Sequence, residues 1–156
     1  MPASTPIVVL RLDEQRYGLE LRHVERVLPV LAFTPLPSAP AIVLGVVDVA
    51  GAVVPVIDLR RRFRLPEREL ELADCLVLAT TSRRRLALVV DGVEGVELSD
   101  RSLWLDPALV LPNAAHVAGI LRTVDGLTLI HDLDTFLELE EERALDAALS
   151  REERAS

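Results

Sequence analysis

Residues Ile7–Leu28 can be laid over Leu76–Glu97 without a gap, and no other feature of the chain constrains its fold as tightly. Val8 and Val9 fall on Val77 and Leu78, Leu19 and Leu21 on Leu88 and Val90, and Val24-Glu25-Arg26-Val27 on Val93-Glu94-Gly95-Val96. A second overlay follows in the same order. Val43–Leu59 covers Val117–Leu133, with Gly45 on Gly119 and Asp58-Leu59 on Asp132-Leu133. One such match could arise by chance in an apolar chain, but two collinear ones point to a duplicated unit.

The unit reads as β structure. Ile7–Leu12 is β-branched and apolar, a polar turn at Asp13–Arg16 follows, and Tyr17–Leu21 completes a hairpin. Leu21, Val24, Val27 and Leu28 stand at helical spacing, which predicts a short helix or turn there. Pro29, Pro35, Pro37 and Pro40 mark an irregular loop. Ile42–Val49 and Val53–Ile57 read as two strands joined around Gly51, and Pro55 predicts an edge or bulged position for the second. Short strands at close spacing favour small closed barrels, which hide their strand edges. The expectation is an all-β fold: two small barrels packed on each other, with short helices and a C-terminal helix. One barrel spans about 7–64 and the other about 74–137. From Asp132 the pattern turns helical, with Asp132 or Asp134 as N-cap and Leu133, Phe136, Leu137, Ala144, Ala147 and Ala148 on one face. Glu140 interrupts that face, so the acidic extension 138–156 is expected to attach weakly and its deletion from 142 to cost little stability.

Composition excludes several functions. Aromatic residues are 3% of the chain and the formal net charge is −8, so neither stacking platforms nor a basic phosphate-binding surface is available for nucleic acid. The single cysteine, Cys75, permits no intrachain disulfide and suits a reducing compartment. It reads as a small core residue. The apolar runs are too short to span a bilayer, and the start has no signal-peptide pattern, so a cytoplasmic protein without direct membrane insertion is expected.

No catalytic constellation assembles from the residue pattern. His23, His116 and His131 pair with neither cysteine nor each other at ligand spacing, and a triad of Ser82, His131 and Asp91 is one that any chain this long permits. Two arginine clusters stand out. Arg83–Arg85 overlays the first hairpin turn and reads as a loop tip. Arg60–Arg62 begins a helical turn, with either local ion pairing to the 67–74 segment or an acidic partner as its role. Neither cofactor nor metal is expected, and the missing constellation favours a binding module over an enzyme.

Leu44–Arg60, reading Leu-Gly-Val-Val-Asp-Val-Ala-Gly-Ala-Val-Val-Pro-Val-Ile-Asp-Leu-Arg, resembles the signature of CheW-like domains, with its Gly-Val, an Asn-Leu-Arg-Gly turn and Val-Pro-Val-Ile-Asp-Leu-Arg. Tyr17-Gly18-Leu19, Pro37–Pro40, Leu88–Val93 and Gly119–Leu121 stand in matching order, and the likeness covers about residues 7–137. The resemblance implies two SH3-like five-stranded barrels packed on a shared core, and no catalysis. It also implies two partners: the CheW-like regulatory domain of a CheA-type histidine kinase, and the cytoplasmic tip of a chemoreceptor received in a groove between the barrels. With no receiver-like or kinase-like segment, a stand-alone adaptor recruited to membrane-associated receptor arrays is expected. The groove is expected to be apolar and lined by Val24, Val27, Val93 and Val96. Gly45, Arg26 and Ala50 are the remaining candidate contact positions. Arg26 and Ala50 depart from the family, which usually places an acid at the first and arginine at the second. A CheW-like docking or localisation module outside the kinase circuit, and a small β-barrel enzyme or ligand binder, are the competing readings.

Overall fold

The computed structural model describes residues 4–30, 32–110, 116–123 and 126–155. Among the described residues, ten strands form two sheets of five. Strands β1 (Ser4–Leu12), β2 (Gln15–Glu20), β8 (Gly92–Asp100), β9 (Val117–Thr123) and β10 (Gly126–His131) make the first, in the order β8-β1-β2-β10-β9. Strands β3 (Val24–Pro29), β4 (Val43–Val49), β5 (Ala52–Asp58), β6 (Cys75–Thr80) and β7 (Arg85–Val90) make the second, in the order β3-β6-β7-β5-β4. Exchanging each strand for its repeat mate turns one order into the other. The exchange is mutual, so the two sheets are topologically equivalent.

The sheets do not follow the sequence halves, which corrects the division at 7–64 and 74–137. Each half keeps its first hairpin in one sheet and sends its next three strands to the other. The chain crosses once between β2 and β3 and again between β7 and β8, and this exchange interlocks the halves. Barrel one here denotes the β1–β2 sheet and barrel two the β6–β7 sheet.

Among the described residues, one isolated bridge closes each barrel. Thr34, beyond β3, exchanges two backbone hydrogen bonds with Val46 of β4, at 2.9 and 2.8 Å. Leu105, beyond β8, does the same with Ile120 of β9, at 2.8 and 3.1 Å. The overlaid glycines lie beside these bridges. A Cβ on Gly45 would sit 2.3 Å from the Thr34 carbonyl oxygen, and one on Gly119 would sit 2.7 Å from the Trp104 ring. Both positions demand glycine so that a second chain segment can pass close by.

Burial explains why the strands are apolar runs rather than alternating ones. Along β6 and β7, Val77, Ala79, Leu86, Leu88 and Val90 face the core shared by the two barrels, while Leu76, Leu78, Ala87 and Val89 face the interior of barrel two. In β1, Val8, Leu10 and Leu12 face the shared core, and Ile7 and Val9 face the interior of barrel one. A strand buried on both faces has no solvated side for polar residues.

Three further expectations change. Leu21–Leu28 is a strand except for a 3-10 turn at Leu21–His23. A bulge lies between Val24 and Arg26, with Glu25 as the extra residue, and it brings Val24 and Val27 onto one face at a spacing of three. Pro55 lies in an interior strand: β5 runs between β4 and β7. The strand tolerates it because Val46, opposite, turns its N–H and C=O to Thr34, so the Pro55 nitrogen faces away from β4. On that other side β7 pairs only from Val56 onward.

The third change is the C-terminal helix. Asp132 caps a 3-10 turn at Leu133–Thr135, as Asp58 caps the helical turn α1 (Leu59–Arg62), so the overlaid Asp-Leu pairs do the same work. A new helix, α3 (Leu139–Ala155), then begins with its own phase (α2 is the turn Pro107–Val110). Its docked face runs through Glu142, Leu145 and Ala148, all buried, with Leu149 packed beside them, whereas Ala147 is exposed. Arg62 meets the Glu141 carboxylate at 2.5 Å, and Arg84 holds Glu142 at 2.7 Å and also binds Asp146. Weak attachment is therefore incorrect: the helix closes the shared core.

The joint between both barrels and this helix is aromatic. The His131 ring stacks on Phe63 at a centroid distance of 4.3 Å, with Tyr17 at 5.1 Å and the edge of Phe136 at 5.7 Å. Its Nδ1 lies 2.9 Å from the His116 carbonyl and therefore donates to it, leaving a buried Nε2 with no hydrogen-bond partner among the described residues. Burial pushes the imidazole down to about 4, against the raising effect of the His116 carbonyl. The folded value lies below the unfolded one of about 6.5. The contribution is thus whole above pH ~6.5 and is lost as pH falls toward ~4, by up to about 3 kcal/mol. His131→Phe keeps the stack without the proton and is expected to flatten the stability profile across that window, as read by urea unfolding at each pH. An unchanged slope would show that His131 does not govern it.

Candidate functional site

The two crossovers each lead into a strand that opens on a core-facing valine. Val24 opens β3 just after the first, Val93 stands at the start of β8 just after the second, and both pack against the shared core. Each strand then bulges at a glutamate: Glu25 in β3, and Glu94 in β8, where Leu10 faces Val93 and Val9 faces Gly95. The bulges return Val27 and Val96 to the core-facing sides, opposite Val77 and Val8, both of which are buried. Yet Val27 is 41% and Val96 55% exposed, and Leu98, opposite Pro6 on the same face, is 74% exposed. The shared core thus runs out into solvent between two valine-lined strands.

The bulged glutamates have matching partners. Glu25 pairs with Arg85 at 2.9 Å and accepts a hydrogen bond from the Thr80 hydroxyl at 2.8 Å. The Arg85 and Thr80 donors hold its carboxyl below the usual range. Glu94 pairs with Arg16 at 2.9 Å. Arg85 and Arg16 are themselves repeat mates, so the same ion pair reaches over the middle strand in both barrels.

Arg26 lies away from these valines. It stands opposite Leu78, which faces the interior of barrel two, so Arg26 and Val27 project to opposite sides of β3. Arg26 is exposed. Ala50 and Gly51 form the tip of the β4–β5 hairpin, at φ 52° and 88°, and the Gly51 N–H donates to the Asp48 carboxylate at 2.8 Å. Because β5 runs parallel to β7, this tip lies at the end of barrel two that also carries the Arg83 turn and the start of β3. Gly45 is buried at the barrel closure, where its work is structural.

A charged network, which the sequence reading did not find, fixes the β8 side. The buried Arg60 guanidinium donates to Asp13 at 2.7 and 3.1 Å, to Asp91 at 2.6 Å and to the Pro66 carbonyl at 3.2 Å. Asp91 also accepts from the Asp13 N–H at 2.6 Å and from Arg68 at 2.5 Å, and Arg68 binds Asp74 at 2.8 Å. Burial works against the Asp91 charge, but the Asp13 N–H and the two guanidinium groups outweigh it and lower the carboxyl below its usual value. Asp91 is the second crossover itself, so the network pins the strand that carries Val93 and Val96. Only the adjacency of Asp91 to the Val93 repeat hinted at it.

The imagined triad does not converge. His131 is sealed in the aromatic joint, the Ser82 N–H is bound to Asp134, and Asp91 is held by arginines. Cys75 packs against the shared core. No three His, Cys, Asp or Glu side chains come together as metal ligands among the described residues. Among those residues, too, no helix is long and apolar enough to cross a membrane.

Comparison with known proteins agrees with this architecture. Residues 6–141 match the CheW-like domain family. The chain is 26% identical over 140 residues to a chemotaxis protein CheW of Rhizobium meliloti, covering 88% of this chain and 90% of that one. It is 30% identical over 113 residues to protein FrzA of Myxococcus xanthus, covering 72% and 71% of the two chains. The crystal structure of the scaffolding protein TtCheW from Thermoanaerobacter tengcongensis superposes with a TM-score of 0.81 at 30% identity, over 90% of this chain and 96% of that one. With a match that long and a fold that close, the chain belongs to the CheW-like domain family, a family of chemotaxis scaffold and adaptor proteins.

Proposed function

We propose that this chain is a non-enzymatic adaptor that couples chemoreceptors to a CheA-type histidine kinase, working in the cytoplasm at receptor arrays. The observation that carries the reading is the exposure of core-facing Val27, Val96 and Leu98 on β3 and β8, which we take to line a groove between the barrels. Apolar surface that continues a core marks a protein contact. An apolar groove receives the apolar face of a helix, and the receptor's cytoplasmic tip is the helical partner expected for this family. The kinase's CheW-like regulatory domain is assigned to the end of barrel two, where Ala50 and Arg26 stand.

Val96→Asp is expected to weaken binding of a receptor tip fragment at least about tenfold, because the new carboxylate is desolvated in the complex. Half-exposed as Val96 is, the domain remains folded. Equal affinity in titration calorimetry would remove the groove from the reading.

Arg26 and Ala50 favour a second reading, a docking module retargeted away from the usual kinase. Where the family carries an acid, Arg26 presents the opposite charge, which disfavours a surface complementary to that acid. Arg26→Glu with Ala50→Arg should then improve binding to the kinase or receptor of a typical chemotaxis system and impair binding to this protein's own. Equal binding in all four combinations would exclude these positions from partner choice.

A further inference from the structure

Barrel one is plugged at the end away from its hairpin turns, and barrel two is not. The plug is Trp104. It precedes the closing bridge residue Leu105, lies on Gly119, and donates its indole N–H to the Ser99 hydroxyl at 3.1 Å. The Arg101 guanidinium lies 4.8 Å from the Trp104 ring centroid and bonds Glu20 at 2.7 Å. Phe33 is the mate of Trp104: it precedes the bridge residue Thr34 and lies on Gly45 in the same way. The smaller ring leaves barrel two open. A cavity of about 370 Å³ remains, with Phe33, Leu44, Val89 and Leu70 as its apolar surface. That is the volume range of pockets that take a ligand or an anchoring side chain.

We propose that this mouth is a binding site for a partner protein segment that inserts one large aromatic side chain flanked by a basic residue. The occupant's nature is shown within the molecule, since the equivalent mouth is filled by an indole with an arginine stacked on it and paired to a glutamate. The rim charge fits the same ligand. Five carboxylates and three guanidinium groups line the cavity. Arg60 and Arg68 are committed to Asp13, Asp74 and Asp91, and Arg61 lies 3.4 Å from both Asp58 and Glu67. Glu69 is exposed and has no ion pair among the described residues. A cation beside the anchor meets this acidic surplus, and its attraction is stronger at a partly desolvated rim than in open water. The site lies at the strand ends opposite the β4–β5 tip and is distinct from the β3–β8 groove.

The test is an NMR titration of the full chain with the peptide acetyl-Arg-Trp-Arg-amide. Saturable shifts are expected at the amides of Phe33, Leu44 and Val89, and Val96→Asp should leave them intact, so failure of the groove and failure of this site are distinguishable. Phe33→Trp makes barrel two like barrel one and should abolish the shifts. Its thermal melting, unchanged or raised, confirms that the fold is kept. Leu70→Ser, at the exposed rim, should weaken binding without touching the core. Acetyl-Glu-Trp-Glu-amide should bind roughly tenfold more weakly, the effect of reversing two rim charges. The proposal fails if no saturable shift develops, if the shifts map to the groove or a surface between copies of the chain, or if Phe33→Trp binds as well as the parent.

Discussion

Leu145→Ala is expected to lower the unfolding free energy by about 2–5 kcal/mol, the range for deleting a buried leucine side chain where the site cannot collapse. Leu145 is 0% exposed and belongs to the core shared by the two barrels. Deleting 142–156 should cost at least as much, because it also removes Ala148 and Leu149 and takes the Glu142 and Asp146 partners from Arg84. Urea unfolding reads both effects. A Leu145→Ala loss under ~1 kcal/mol would mean that α3 frays from the barrels in solution, as a weakly held extension would.

Arg60→Met should cost about 1–3 kcal/mol, because it removes a buried guanidinium whose charge-assisted hydrogen bonds hold Asp13 and the mostly buried Asp91. Two aspartates lose a short charge-assisted bond at once, and Asp13, held at φ 53° in the β1–β2 turn, loses its bidentate partner. The double change Arg60→Met with Asp13→Asn should recover part of the loss, since it removes one orphaned charge. Arg68 still holds Asp91 in both variants. The pH dependence gives an independent check. The folded Asp91 carboxyl sits below its unfolded value, so its contribution is present above that unfolded value, about 3.9, and is lost as pH falls through the lower folded one. The parent should therefore lose stability below about pH 4, under the His131 window, and Arg60→Met should lose less there. A loss in Arg60→Met below ~1 kcal/mol would show the network to be a surface decoration.

Much of this architecture was legible from residue order. The duplication, the hairpins, the matching of Gly45 with Gly119 and the cap at Asp132 come from overlay and turn chemistry, which are local properties; that the two glycines sit at the barrel closures does not. The spacing of Val24 and Val27 was also read, but as helical. A β-bulge and a helical turn both bring residues three apart onto one face, and nothing in a single strand's sequence distinguishes them. The partner strand decides: Ala79, Leu78 and Val77 fix the register, and Glu25 is left over.

Tertiary structure alone decided which half completes which barrel. Both halves carry equivalent strands, so β3 could pair with the hairpin of its own half or of the other, and local propensity favours neither. The exchanged arrangement wins where the crossovers let both faces of every central strand be buried. The docked phase of α3 was hidden for a similar reason. Its register is set by Phe136 and the aromatic joint ahead of it, which break the run begun at Asp132 and restart the helix at Leu139. The Arg60 network joins residues far apart in the chain, Asp13, Arg60 and Asp91, and each alone is an ordinary polar residue at the end of a strand. What the sequence by itself determined is the repeated unit and the family it belongs to. Only the folded chain decided how the two copies share strands, and with that where the core opens to a partner, because burial is a property of what packs from the other half.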